Sequence, residues 1–460
     1  MDIKIKKGLD LKLVGGIENP KNACAGLKAV EGVCALCPED FPGFKPKTSI
    51  KEGTLVNAGD AVLYNKDYET MALASPIDGK VRAVVRGDRR RILRVEIEPA
   101  KVDPATEQTG ILDNADAQAT VDVLASKGLL ARFRERPYDV VPTAGVCKVR
   151  DIYVICFDSA PLAVDPAECV EGTEVEKRLA GGLEILSRLT DGKVYLAVRA
   201  GSSFAAIAER IAAGGKGIEV LSVAGLYPSS LPGSLISATA PLNKGERVWS
   251  LDLTTALRIG ELKACGHYSF ENTVAVVGYE VEKPFYAKAC DGMSIKALVN
   301  GHLKKSPEHK RIISGNVFTG VSESEDGYLR FPYRQLTIIP EGDDKDEFMG
   351  WASLAPSKVS VNRSFPLSFM RKIFNPDARL NGGRRAMIMS GEYERYIPMD
   401  ILPEYLIKAI LAKDVEGMEK LGIYEVAPED FALAEFADTS KLPLQQIVRD
   451  GLDYLRKELE

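Results

Sequence analysis

The sequence predicts a multidomain protein of mixed α/β and α+β class, and three observations carry that expectation. Its 460 residues amount to about three folding units on the usual domain size. Residues 150–281 alternate apolar, β-branched runs with helical periodicity, the pattern of a parallel sheet covered on both faces. Residues 1–100 instead string short strands between Gly-Asp, Asp-Gly and proline-containing turns. A composition of 45% hydrophobic and 27% charged residues excludes a disordered chain, a collagen-like one and a disulfide-rich miniprotein. No run approaches eighteen apolar residues, so no transmembrane helix is expected. The lysine-bearing start lacks an apolar core and a cleavage site, so no signal peptide is expected either. On that basis the eight cysteines read as reduced cytosolic thiols.

The first unit, 1–100, contains the strands KIKKGL, SIKEGT, DAVLYN, GKVRAVV and RILRVEIE. Gly59-Asp60-Ala61-Val62 followed by Ser75-Pro76-Ile77-Asp78-Gly79-Lys80-Val81 is the turn grammar of a barrel-sandwich hybrid, the scaffold of biotinyl and lipoyl carriers. In such carriers the modified lysine stands eleven residues before the second-half glycine. Counting back from Gly79 lands on Tyr68, with Lys66 two positions out of register. The scaffold is therefore expected without its swinging arm, because an amine at the hairpin tip is what modification needs.

The second unit, 101–282, opens with a helical pattern from 115 to 136, interrupted by Gly128 and ended by Pro137. The Rossmann-like alternation follows: DIYVICF, a helix with Val175, Leu179, Leu183 and Leu186 on one face, KVYLAV, SSFAAIAERIAA, GIEVLSV, ERVWSL, DLTTALRIGELKA and TVAVVGYEV. Neither DSAPLAVDP nor RAGSSFAAI, the segments after the first two strands, is a GxGxxG turn. Gly214-Gly215-Lys216-Gly217 lies at a helix end, where a C-cap explains it. No dinucleotide site is expected. A third unit, 283–340, has the strand–helix–strand pattern PFYAKAC, SIKALVNGHL, RIISGNV of a β-grasp module. The last, 341–460, is a mixed segment followed by helices. Ile407, Leu411, Val415 and Met418 line one helix face, and Leu444, Val448, Leu452, Leu455 and Leu459 line another.

Reactive groups are sparse. His267, His302 and His309 are the only histidines, and GxSxG, HExxH and Walker A patterns are absent. Cys34 and Cys37 form a lone CxxC without the second pair that a zinc or iron–sulfur site needs. Neither catalytic nor metal-ligating residues are therefore assigned. Bases and aromatics interleave in Phe41, Phe44 and Lys45, and again in Arg132, Phe133, Arg136 and Tyr138. Stacking and cation–π contacts suit such groups to a planar ligand or a partner, while an amphipathic helix anchored by Phe133 is the plain alternative. Charge is polarised within a net of −5. Lys80 to Arg94 holds seven bases and one acid, and Glu425 to Glu460 nine acids and four bases. Each segment is a candidate docking surface, and the overall acidity argues against a nucleic-acid partner.

IKIKKGLDL, SPIDGKV, GLLARFRERPYDVVP, FDSAPLAVDP, RIISGNVFTG, EGDDKDEFMGWASLAPSKVSVNRSF and YIPMDILPEYL together resemble the NqrA family of the Na⁺-translocating NADH:quinone oxidoreductases, almost from end to end. The resemblance implies a peripheral subunit on the cytoplasmic face of the inner membrane, in a complex whose other subunits hold FAD, FMN, riboflavin and iron–sulfur centres. It implies no redox centre on this chain. Ile236-Ser237-Ala238-Thr239 departs at its first two positions from the Ser/Thr-Gly-Ala-Thr pattern of covalent flavin attachment. It also implies quinone as a substrate, held near Phe41 to Lys45 and Ala131 to Tyr138 or else on a membrane subunit. The competing expectation is a stand-alone nucleotide- or quinone-binding oxidoreductase. A related ferredoxin:NAD⁺ reductase subunit would need cysteine-rich cluster motifs that this sequence lacks.

Overall fold

The computed structural model of the chain describes residues 1–24, 27–103, 109–170, 172–343, 353–361 and 365–459. Much of the EGDDKDEFMGWASLAPSKVSVNRSF stretch lies outside the described residues. The chain is an α+β and α/β multidomain protein built on four sheets.

The largest α/β layer orders its strands Asp2–Lys4, Ile218–Ala224, Val194–Arg199, Asp151–Ile155, Val248–Asp252 and Arg134–Arg136. All neighbours are parallel except the last pair. Alternating side chains go to opposite faces, as the pleat requires. Ile152, Val154, Leu196 and Val198 pack under the helices Thr173–Ser187, Ser203–Gly214 and Leu253–Cys265. Tyr153, Ala197, Leu221 and Val223 pack under Pro232–Thr239. From Asp151–Ile155 the chain winds outward through Val194–Arg199 to Ile218–Ala224, then returns to place Val248–Asp252 on the other flank. The topology therefore reverses between Asp151–Ile155 and Val248–Asp252, where an open α/β sheet leaves a crevice beyond its strand ends.

In the N-terminal barrel-sandwich hybrid, one sheet of Cys34–Leu36, Ile92–Pro99, Gly79–Arg86 and Leu55–Val56 faces a second of Pro46–Lys47, Ala61–Asn65 and Ala72–Ala74. Val62, Leu63, Leu73, Val81, Val95 and Ile97 fill the space between. Tyr68 stands in the turn joining Ala61–Asn65 to Ala72–Ala74 and packs against this core, whereas Lys66 is exposed. The fourth sheet runs Val321–Glu323, Lys310–Ser314, Gln335–Pro340, Glu271–Val277, Phe285–Cys290 and Lys28–Ala29, with Ile295–Val299 packed on it. Its middle pair, Glu271–Val277 and Gln335–Pro340, is parallel, as a β-grasp requires.

Five expectations need correction. The opening strand pairs with Ile218–Ala224, not within the barrel-sandwich sheets. TVAVVGYEV lies in the β-grasp sheet and so starts that sheet before residue 283. A run buried on both faces looks the same whichever sheet it joins. The helix expected over 115–136 ends at Ser126, and Arg134–Arg136 is a strand at the edge of the large sheet. Pro403–Ala412 and Val415–Lys420 are two helices, and Leu411 is 57% exposed. Cys24 and Cys169 form a disulfide across 145 residues, so these two are not free thiols. Only the fold brings the helix Pro20–Cys24 beside the turn Pro166–Cys169.

Candidate functional site

The crevice at the topological reversal is a cleft of ≈ 690 Å³, within the size range of small-molecule sites. Its floor is the carboxyl ends of the two central strands: Ile155, Phe157 and Asp158 after one, Leu251 and Asp252 at the end of the other. The β-grasp module closes one side with Arg330, Phe331, Tyr333 and Arg334. The first domain contributes Asp40, and the C-terminal unit contributes Glu429 and Arg449. Four parts of the chain thus meet around one space.

Ion pairs lock these parts together. Asp40 accepts from Arg330 Nε at 2.6 Å and from the Phe331 amide at 3.0 Å. Burial nonetheless pushes its carboxyl up to about 6. Asp252 caps Leu253–Cys265 by accepting from the Thr255 amide at 2.7 Å, and it also accepts from Arg334. Burial opposes its charge, but Arg334 outweighs burial and holds the carboxyl below its usual range. Asp291 of the β-grasp module accepts from Arg132 Nη2 at 2.5 Å, Arg258 Nη1 at 3.1 Å and Asn272 Nδ2 at 2.8 Å. Against the cost of burial, the two guanidiniums hold it far below the carboxylate range.

The aromatic element of the cleft is Phe331. Its ring stacks on Phe41 at 4.8 Å and 8°. The guanidiniums of Arg132 and Arg134 stand 5.1 Å and 5.6 Å from its centroid. Two donors at the cleft are left over. Arg134 gives one guanidinium nitrogen to the Asp40 carbonyl at 2.7 Å, but its buried Nη1 has no partner among the described residues. The buried Tyr227 hydroxyl has none either. Buried donors without partners are rare, and each is a place where a ligand acceptor would fit.

The residues singled out in the sequence separate into three places. Arg132 lines the cleft. Phe41, Phe44 and Lys45 border a different, outward groove of ≈ 710 Å³. Phe133, Arg136 and Tyr138 are buried rather than surface groups. Phe133 meets Trp249 edge-on at 5.7 Å and 74°, Arg136 is ringed by Asp430, Glu429 and Asp139, and Tyr138 joins the C-terminal core. Substitutions at Phe133 or Arg136 therefore report on folding rather than on a ligand. Tyr227, Phe331 and Arg334 escaped sequence reasoning. The run Arg330-Phe331-Pro332-Tyr333-Arg334 interleaves bases and aromatics just as residues 132–138 do, and that pattern would have marked it.

Cys34 and Cys37 are buried, and burial drives the Cys37 thiol up to about 12, away from the thiolate that redox chemistry or metal binding needs. Among the described residues, no three His, Cys, Asp or Glu side chains converge as a metal site. No helix there is long and apolar enough to cross a membrane.

Glu429 gives the cleft a titratable wall. Burial first, then the nearby Asp139 carboxylate, lift its pKa from the ordinary 4.5 to about 8. Through that window the folded chain holds the proton more tightly than the unfolded chain does. Its contribution to stability therefore falls as pH rises from about 4.5 to about 8. Glu429→Gln is expected to remove that decline. Melting temperatures of both proteins across the window check it, and parallel curves would show that Glu429 titrates normally.

A barrel-sandwich hybrid, an open α/β sheet and a β-grasp module closed around a switch-point cleft define a multidomain ligand-binding protein of the α/β class. The chain is further identified by its relatives. Residues 3–100 match the NqrA N-terminal barrel-sandwich hybrid domain, 115–268 the NqrA second alpha/beta domain, and 273–324 the NQRA C-terminal domain. The chain is 30% identical over 460 residues to the NqrA subunit of the Na(+)-translocating NADH-quinone reductase of Haemophilus influenzae, covering 99% of this chain and 100% of that one. With the same coverage of both chains, it is 32% identical over 464 residues to the corresponding Yersinia pestis subunit and 34% over 464 to that of Hahella chejuensis. The chain belongs to the NqrA family of Na⁺-translocating NADH-quinone reductase subunits. Among solved structures, an NAD⁺-reducing NiFe-hydrogenase in its H2-reduced state aligns at 13% identity and a TM-score of 0.38, over 77% of this chain and 66% of that one. That score is too low to define a shared fold.

Proposed function

We propose that the chain is the peripheral NqrA subunit of a Na⁺-translocating NADH:quinone oxidoreductase, that it holds no redox centre of its own, and that its cleft takes a quinone headgroup. Partnership with the membrane subunits at the cytoplasmic face follows from that role. The observation that carries the quinone reading is the pair of unpartnered buried donors, Arg134 Nη1 and the Tyr227 hydroxyl, in a cleft that also presents Phe331. A quinone is planar and uncharged and carries two carbonyl acceptors, so it suits an aromatic surface and two orphan donors.

The same cleft is poorly made for a dinucleotide. After the strand Asp151–Ile155 the turn amides are already used, Ser159 N by Ser230 Oγ at 3.0 Å and Ala160 N by Asp158 Oδ1 at 2.8 Å. Asp158 and Asp252 both line the cleft and would repel a pyrophosphate. This arrangement also disfavours a stand-alone nucleotide-dependent oxidoreductase. Such an enzyme would show a rise in melting temperature with NADH through linkage.

Calorimetry with a short-chain, water-soluble quinone is the test. Wild type is expected to bind, and Tyr227→Phe or Arg134→Gln to bind about tenfold more weakly, the worth of one hydrogen bond to a buried donor. No heat of binding, or affinity unmoved by both substitutions, rejects the cleft. Failure to co-purify with the membrane subunits rejects the peripheral role.

A further inference from the structure

The basic segment singled out in the sequence has no part in the cleft. Gly79–Arg86 and Ile92–Pro99 are joined by a turn that carries Arg89, Arg90 and Arg91 in succession. Arg89 and Arg90 sit at φ +53° and +60°. Glycine and asparagine adopt that region readily, whereas other residues are strained there. Charge is thus kept at a position where backbone preference favours a small neutral residue.

The turn borders the outward groove of ≈ 710 Å³, which Lys45, Lys47 and Lys66 also line. Lys45 pairs with Asp67 at 2.7 Å, Lys47 with Glu69 at 2.8 Å and Arg91 with Glu39 at 3.4 Å. Among the described residues no ion pair neutralises Lys66, Arg86, Arg89 or Arg90. Leu93, 41% exposed, lies over Gly87 at the base of the turn and adds an apolar contact beside the arginines.

We propose that this arginine turn is a membrane-contact surface that seats on anionic phospholipid headgroups beside the membrane subunits. Charge complementarity selects this occupant. Cytoplasmic loops of membrane proteins carry an excess of lysine and arginine, so they would repel a basic groove. The headgroup layer of the same leaflet is anionic and attracts it. The inference rests on the peripheral-subunit reading, but it fails separately. Loss of co-purification rejects that reading, whereas vesicle binding tests the turn alone.

The experiment is co-sedimentation of the full chain with phosphatidylcholine vesicles, with and without roughly one third phosphatidylglycerol. Binding is expected only with the anionic lipid and is expected to weaken as salt is raised. Arg89→Asn combined with Arg90→Gly supplies residues that favour the left-handed turn, so it removes two charges while keeping the hairpin. It is expected to cut vesicle binding about thirtyfold, with an unchanged melting temperature confirming the fold. Equal binding to both vesicle types, binding to neither, or undiminished binding by the double variant overturns the proposal. So does a self-dimer in sedimentation equilibrium that the double variant abolishes. Loss of the membrane subunits by the double variant in lipid-free detergent, with vesicle binding unaffected, would point instead to an acidic protein segment and equally overturn it.

Discussion

Arg136→Met is expected to cost about 3–5 kcal/mol of folding stability, as removal of one member of a buried ion cluster does. Arg136 is 1% exposed at the edge of the large sheet. Its Nη1 and Nη2 donate to Asp430 and Glu429, each at 3.4 Å, and its Nε lies 3.9 Å from Asp139. Asp430 is itself buried and also accepts from the Ala427 amide at 2.8 Å. Methionine fills much the same volume but leaves these carboxylates without a cation. They would then have to take up protons or drag water inward. The loss should therefore shrink at low pH, where protonation relieves the repulsion, and should be partly rescued by adding Glu429→Gln and Asp430→Asn. Urea melts of the single and triple variants at two pH values decide it. A single variant within about 1 kcal/mol of wild type would place the cluster in effective contact with water. The cluster also fixes Glu429 in the cleft wall, so quinone affinity is expected to fall with it.

Arg136 also shows why sequence reading reached only part of the site. Four charges and an aromatic in a row read as surface because charged side chains are rarely buried unless paired. The partner that makes burial possible, Asp430, is 294 residues away. The large sheet was legible for the opposite reason. Strands such as DIYVI and VYLAVR are covered on both faces, and that is written locally as an unbroken apolar run. Asp2–Lys4, three residues long, is too short to carry a period, so its place beside Ile218–Ala224 was invisible. The barrel-sandwich turns were legible because Gly59 and Asp60 answer local backbone demands. The cleft belongs to no segment. It arises where strand order reverses and three other units close over the gap, and only the turn residues of each contributor leave a local mark.

Gly260→Ala is expected to destabilise the α/β domain by about 3 kcal/mol or more, at or beyond the upper range for overpacking. The sign is opposite to what helix propensity dictates, since alanine in a helix interior normally gains about 1 kcal/mol over glycine. Gly260 lies in Leu253–Cys265, and a Cβ there would sit 1.7 Å from the Arg178 carbonyl oxygen on Thr173–Ser187. From the other helix, a Cβ on Gly182 would sit 2.1 Å from the Ala256 oxygen. The two helices therefore meet backbone to backbone, and a single methyl group can be admitted only by pushing a whole helix away. That movement strips cover from Leu183, Leu186, Ile259 and Leu262, all fully buried. It also shifts Asp252, the cap of the moving helix and the carboxylate that receives Arg334 at the cleft. Quinone affinity should fall together with stability, which separates this defect from a surface effect. Gly214→Ala is the control, because that helical glycine has open space where its Cβ would go and should change stability by no more than about 1 kcal/mol. Thermal melts of the two variants side by side give the result. A Gly260→Ala protein melting with wild type would mean that the helices do not approach this closely.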